Sequence, residues 1–254
     1  MVLAIDIGNT HILLGCFEDR KILFTELLTT NKTNTDLEYA ALIKSALEFN
    51  DYSFGEIDGA IISSVVPQIT SNVQKAVERF SSVEPVIVGP GVKTGLKIKI
   101  DNPAQLGSDL VVSAVAGIKE YGVPQINIYM GTATAFSLID KDKNFAGTSI
   151  GAGMGIAAEA LSSKTSQLPN VAFETPKKVI GTNTIDSMKS GLVYQNAALI
   201  DGMIDRIEDE YGQPCVLTAT GRYAALVAPL CRHKIIVDTD MILKGLIEVY
   251  YKNK

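Results

Sequence analysis

"AIDIGNTHILLGCFEDRKI", residues 4–22, and "NIYMGTATAFSLIDKDKNF", residues 127–145, decide the fold. Each reads as an apolar strand, a glycine-containing turn, a second apolar strand and a charged turn. Sliding the chain on itself by 123 residues lays Gly8 on Gly131 and Asp19 on Asp142, and it sets Tyr129 opposite Asp6. Few residues are identical, but the apolar positions largely coincide, which is the pattern of an internal structural repeat.

Outward from the first copy, "ILFTELL" reads as a third strand, and from Thr35 the apolar spacing becomes helical in "TDLEYAALIKSALEFN", with Thr35 or Asp36 as N-cap. "GAIISSVV" is a β-branched strand stopped by Pro67, "QITSNVQKAVERF" an amphipathic helix, "PVIVG" a strand, and "NPAQLGSDLVVSAVAGIKEYG" a loop running into a helix. After the second copy come a helix in "GIAAEALSSKTSQ", a long helical stretch from Thr184 to Tyr211, strands in "PCVLTATG" and "KIIVDTDM", and a closing helix in "LKGLIEVYYK". Alternating strands and helices predict an α/β fold. The repeat predicts two similar lobes, residues 1–120 and 121–254, with the last helix able to pack back on the first lobe.

The composition narrows the classes of function. Among 254 residues, 46% are hydrophobic and 20% charged, and the net charge is −5 with no basic block, which argues against a nucleic-acid surface. The three cysteines, Cys16, Cys215 and Cys231, have neither metal-site spacing nor an even count, which fits a reducing cytoplasm. No apolar run nears the ~18 residues of a membrane span. "MVLAIDIGNT" reads as a strand rather than a secretion leader.

The turns carry the chemistry. Asp6 interrupts a buried apolar strand, a costly place for a carboxylate unless it is paired or useful. Gly8 permits a tight turn close to a ligand, and Asn9 and Thr10 add polar groups. Such a turn can hold a phosphate tail and, through Asp6, a hydrated Mg²⁺. "GTAT", with Gly131, Thr132 and Thr134, repeats the device, and "TATG", ending at Gly221, supplies a third strand-end turn. No Walker loop occurs. Two hairpin turns facing each other across an interlobe cleft would make a nucleotide site. Asp109 opens a helix, where it is either a general base for an acceptor hydroxyl or, with Ser108, a helix cap. His11 and His233 are isolated, and His11 reads as a strand-surface residue.

"DIGNT", "NPAQLGSD", "GTAT", "TNTIDSMKSG" and "TATG" occur in an order that resembles the type III pantothenate kinases, of the superfamily that holds acetate and sugar kinases, heat-shock proteins and actin. The resemblance spans nearly the whole chain. It implies two RNase H-like lobes with a nucleotide cleft, ATP-dependent phosphorylation of pantothenate at the start of coenzyme A synthesis, Mg²⁺, K⁺ or NH₄⁺, and a homodimer. It further implies that residues 6–13 hold ATP phosphates, that Asp109 is the base, that Gly107, Ser108, Asp109 and Leu110 lie along pantothenate, that Thr132 contacts nucleotide, and that Thr184 contacts pantothenate at the dimer interface.

Four positions depart from the family pattern. Leu110 stands where the family has arginine, Ile100 where it has tyrosine, and Tyr129 where it has the aspartate tied to the monovalent cation. Arg222 stands where the late turn has a second glycine. A phenol cannot replace a carboxylate toward a hard cation, and leucine cannot ion-pair. Three readings follow: a degenerate subunit that works with an orthodox second family member, a self-sufficient homodimer with an altered pocket in which Arg222 replaces the missing arginine, and a non-enzymatic nucleotide- or pantothenate-binding regulator.

Overall fold

The computed structural model describes all residues, 1–254, as two compact units. The first comprises Met1–Leu96, Asp101–Ala116 and Met241–Lys254, and the second Lys97–Ile100 and Gly117–Asp240.

In the first unit, β1 (Val2–Ile7), β2 (His11–Glu18) and β3 (Lys21–Thr29) form an antiparallel meander, and β4 (Gly59–Ser64) and β5 (Val86–Ile87) add in parallel. The strand order is β3-β2-β1-β4-β5. β1 is buried along its whole length, which explains its unbroken apolar run and the isolation of Asp6 within it. Helix α1 (Asp36–Phe49) starts at Thr35, whose side chain accepts the Glu38 N–H while Glu38 reaches back to the Thr35 N–H. Pro67 both stops the chain after β4 and opens α2 (Pro67–Ser81), a position where its missing N–H costs nothing. The core packs Leu3, Ile5 and Ile7 against Tyr39, Ile43, Ile69 and Val73.

The second unit repeats the plan. β7 (Gln125–Met130), β8 (Ala133–Ile139) and β9 (Asn144–Ala152) form the meander, with β10 (Val216–Thr220) and β11 (Ile236–Val237) parallel beside β7. The order is β11-β10-β7-β8-β9, extended by β6 (Lys97–Ile98) on the β9 edge. Element for element this is the first unit's order, so the sequence repeat is a structural one. The second hairpin turn is one residue shorter: Ile7 pairs with Ile12, whereas Met130 pairs with Thr134. Helices α4 (Met154–Lys164) and α5 (Thr184–Tyr211) follow, and α5 ends at Gly212, whose φ of 84° suits the left-handed C-cap.

Helix α3 (Ser108–Glu120) runs from the first unit into the second, and α7 (Met241–Asn253) packs on β1, β2 and β4 of the first. Two expected strands shrink: "PVIVG" and "KIIVDTDM" each pair over two residues only. Residues 223–232, to which the sequence reading gave no element, hold the short helix α6 (Ala224–Val227) and a 3₁₀ turn.

Candidate active site

Parallel pairing of β1 with β4 sets Asp6 beside Ser63. Directly paired residues on adjacent strands project to the same face. Asp6 is 5% exposed. Its carboxyl is pushed up to about 7, first by burial and then by the Asp109 carboxylate, while a hydrogen bond with Ser63 pulls it down. Ser63 is fully buried, and its Oγ lies 2.8 Å from Ser108 Oγ. The Ser108 hydroxyl accepts the Ser64 N–H and donates to the Ser64 carbonyl, each at 3.0 Å. Ser108 therefore ties the start of α3 to the end of β4 and does not cap its own helix.

That role falls to Asp109. Its Oδ1 accepts the Leu110 N–H at 2.8 Å, and burial holds the carboxyl above the usual carboxylate range against the pull of the N–H groups of Leu110 and Asp109. A β-carbon on Gly107 would overlap Asp109 Oδ1, so the Gly-x-Asp spacing makes room for the carboxylate. Gly107→Ala is expected to displace that group and lower turnover by about 10–100-fold with a change in Tm of only a few degrees. Steady-state rates and thermal unfolding check this, and an unchanged kcat would mean the carboxylate does not need this position. Leu110, in the expected arginine position, is buried.

At the first hairpin turn the Gly8 N–H donates to the His11 carbonyl at 3.0 Å, and Thr30 Oγ1 donates to the Gly8 carbonyl at 2.7 Å. Gly8 thus closes the turn through its own backbone, and the exposed tip belongs to Asn9 and Thr10.

The second unit gathers the other turn residues. The Gly131 N–H donates to the Ala133 carbonyl at 3.0 Å, Thr132 is exposed, and Thr134 is buried. A β-carbon on Gly131 would lie 3.0 Å from ring carbons of Tyr129, so the phenol stands against the glycine of the turn. Gly221, at φ 95°, passes so close to the Met130 backbone that a β-carbon would come 2.6 Å from the Met130 carbonyl oxygen. Only glycine satisfies both conditions. Arg222 is exposed, with its guanidinium 5.8 Å from the Tyr223 ring centre. Ile100 is half-buried just past β6.

Thr184 opens α5 at one wall of an open groove of about 610 Å³, shared with Leu161, Gly181, Asn183, Ser187 and Gln195. The Asn183 side chain caps α5 by accepting the Asp186 N–H at 2.9 Å. The lining of this groove does not include the Gly131 turn. Ser63 was missed in the sequence. A serine near the end of a β-branched strand carries no signal until the β1–β4 register places it against Asp6.

The type III pantothenate kinase family model matches residues 2–206. The chain belongs to this family. It is 40% identical over 253 residues to the type III pantothenate kinase of Halalkalibacterium halodurans, covering all of both chains. It is also 40% identical to that of Bacillus cytotoxicus, covering all of this chain and 97% of the other. Among solved structures it is similar to the activator of 2-hydroxyisocaproyl-CoA dehydratase from Clostridium difficile with bound ADPNP, at a TM-score of 0.55 and 9% identity over 99% and 93% of the two chains. That likeness identifies the actin-like ATPase fold. Membership in a kinase family gives the Asp6–Asp109 pair a context: two carboxyls in one unit, both raised by burial. No helix is long and apolar enough to cross a membrane.

Proposed function

We propose that the chain phosphorylates pantothenate to 4′-phosphopantothenate with ATP, and that its full rate requires an orthodox second member of the family. The meeting of Asp6 and Asp109 around Ser63 and Ser108 carries the kinase reading. Asn9, Thr10 and Thr132, at their turn tips, and Gly8, Gly131, Thr134 and Gly221, which shape those turns, are assigned to the nucleotide phosphates. Gly107, Ser108, Leu110 and Ile100 are assigned to pantothenate. Asp109 takes the proton of the acceptor hydroxyl.

Asp6 fits a hydrated Mg²⁺: a buried carboxylate, disfavoured by its surroundings, gains most from a cation held through water. Bound there with ATP, the ion would neutralise charge on the phosphates. The residues present do not fit the family's monovalent cation in the same way, because Tyr129 supplies no carboxylate and its ring stands against Gly131.

Dependence on a partner rests on Tyr129 and on the burial of Leu110. Losing one charged group at such a site costs roughly two to three decades in rate. The chain would offer its partner Thr184 and an apolar face. Ile156 and Leu161 on α4, Val179 and Ile180 before α5, and Ile185 on α5 are all exposed, and Leu161 shares the groove with Thr184. Apolar exposure of this kind marks an interaction surface. The second reading, a self-sufficient homodimer, is favoured by the intact carboxylate pair of the first unit.

Tyr129→Asp tests the assignment. It is expected to raise nucleotide affinity or turnover about tenfold or more and to make it K⁺-dependent. No change with K⁺ would refute the assignment of Tyr129 as the missing cation ligand. Nucleotide binding without product, alone or with a partner chain, would leave the regulator.

A further inference from the structure

The second sheet has two unlike faces. Ile126 and Ile128 of β7, Phe136 of β8, and Leu217 and Ala219 of β10 belong to the apolar core of the second unit. The other face of the same strands carries Gln125 and Asn127, Ser137, and Thr218 and Thr220. Pairing across the strands sets Ser137, Asn127 and Thr218 in one row, and Thr220 in the next row beside Tyr129. All five polar residues are buried, at 0–1% exposure. Gly117 of α3 packs so closely on Gln125 that a β-carbon there would overlap its Oε1. Seven side-chain atoms of this group have no hydrogen-bond partner in the chain: both amide atoms of Gln125 and of Asn127, and the hydroxyls of Ser137, Thr218 and Thr220. Orphaned together, seven buried polar atoms would cost as much as the net stability of a whole domain. The fold itself does not call for them. In the first unit, the rows that match those of Gln125 and Asn127 carry Val2, Phe17 and Gly59, and then Ala4, Gly15 and Ile61, with no polar side chain.

The chemistry of the seven atoms selects their ligand. The two amide nitrogens only donate, the two amide oxygens only accept, and the three hydroxyls do both. A cation satisfies the oxygens alone, and an anion the donors alone. Water serves all of them. We propose that this face of the second sheet binds a cluster of internal water molecules, held by Gln125, Asn127, Ser137, Thr218 and Thr220. A buried water makes about three hydrogen bonds, so the seven atoms call for about two or three waters. Ser137 also pairs with Thr148 of β9, which is exposed, so the central row reaches solvent at that edge. The cluster braces β7 and β10 just before the Gly131 and Gly221 turns. It stands whether or not the chain turns over pantothenate.

The test uses the full chain, a crystal structure at a resolution that shows ordered water, and thermal unfolding. Density for water is expected within hydrogen-bond distance of Asn127, Ser137 and Thr218 in the unaltered chain. Thr218→Val keeps the shape of the side chain and removes its hydroxyl. With water bound, the substitution leaves that water short of a partner, and Tm falls by a few degrees. In a dry seam the same substitution removes an orphaned hydroxyl, and Tm rises. Thr218→Ser, which keeps the hydroxyl, keeps the water. Thr220→Val gives the same comparison should Thr218→Val fail to fold. Side chains of Asn127 and Thr218 closed on each other with no water between them, or a higher Tm for the valine variants, overturn the proposal. A Tm raised by KCl over choline chloride at equal ionic strength, with the rise lost in Thr218→Val, identifies a cation in place of water and overturns it as well.

Discussion

Asp109→Asn is expected to lower the chain's own turnover of pantothenate by about 10²–10⁴-fold, the range for loss of a general base. The substitution is isosteric, and the asparagine carbonyl oxygen can still accept the Leu110 N–H that Asp109 Oδ1 accepts at 2.8 Å. It also removes a negative charge that raises Asp6. Nucleotide affinity and Tm should therefore hold or rise while kcat falls. This separates two roles that a carboxylate at the start of a helix leaves open. A helix cap would keep both stability and kcat on this substitution, because the asparagine oxygen still takes the Leu110 N–H, whereas a base loses kcat. Rates measured alongside thermal unfolding decide between them, and a loss in kcat under tenfold would return Asp109 to the role of a cap.

Asp6→Asn should change stability and binding in opposite directions. The Asp6 carboxyl moves from 3.8 to about 7 on folding, so between those values the folded chain holds a proton that the unfolded chain has lost. The stability associated with that proton is present below about pH 4 and is lost as pH rises through about 7. A shift of this size corresponds to a few kcal/mol as an order of magnitude. In Mg²⁺-free buffer the asparagine variant should match the unaltered chain near pH 4 and unfold several degrees higher at pH 8.5. With Mg²⁺ and nucleotide present the ranking should invert, because only the carboxylate can hold the hydrated cation. Thermal unfolding at the two pH values, with and without Mg²⁺ and an ATP analogue, checks both signs. Equal pH dependence in the two proteins would mean that Asp6 is not a strained acid.

Much of this was legible in the sequence because it depends on local pattern. The offset that laid Gly8 on Gly131 anticipated two units with one strand order, since period-two apolar runs and Gly-containing turns are local signals. The capping box at Thr35 and the helix from Thr184 followed for the same reason. What stayed hidden depends on register and on short pairings. β6, Lys97–Ile98, is too short for any periodicity to show, and β5 and β11, which lie within expected strands, pair over only two residues each. Ser63 matters only because β4 lies parallel to β1 with Ser63 opposite Asp6, a fact about partners far apart in the chain. Of the two candidate caps, Ser108 and Asp109, the Asp109 carboxylate takes the first N–H groups of α3 and Ser108 bonds to β4 instead. Tyr129 was read as a missing acid, and the geometry adds that its ring stands against Gly131.

The dependence on a second chain is tested most directly by the rate of 4′-phosphopantothenate formation from ATP, Mg²⁺ and pantothenate. It is measured for this chain alone, for an orthodox family member alone, and for the two mixed. The expected result is a rate for this chain at least about a hundredfold below the orthodox rate, and a mixture faster than the two separate rates combined, with the excess lost on Thr184→Ala in this chain. Turnover by this chain alone at the orthodox rate would contradict the account.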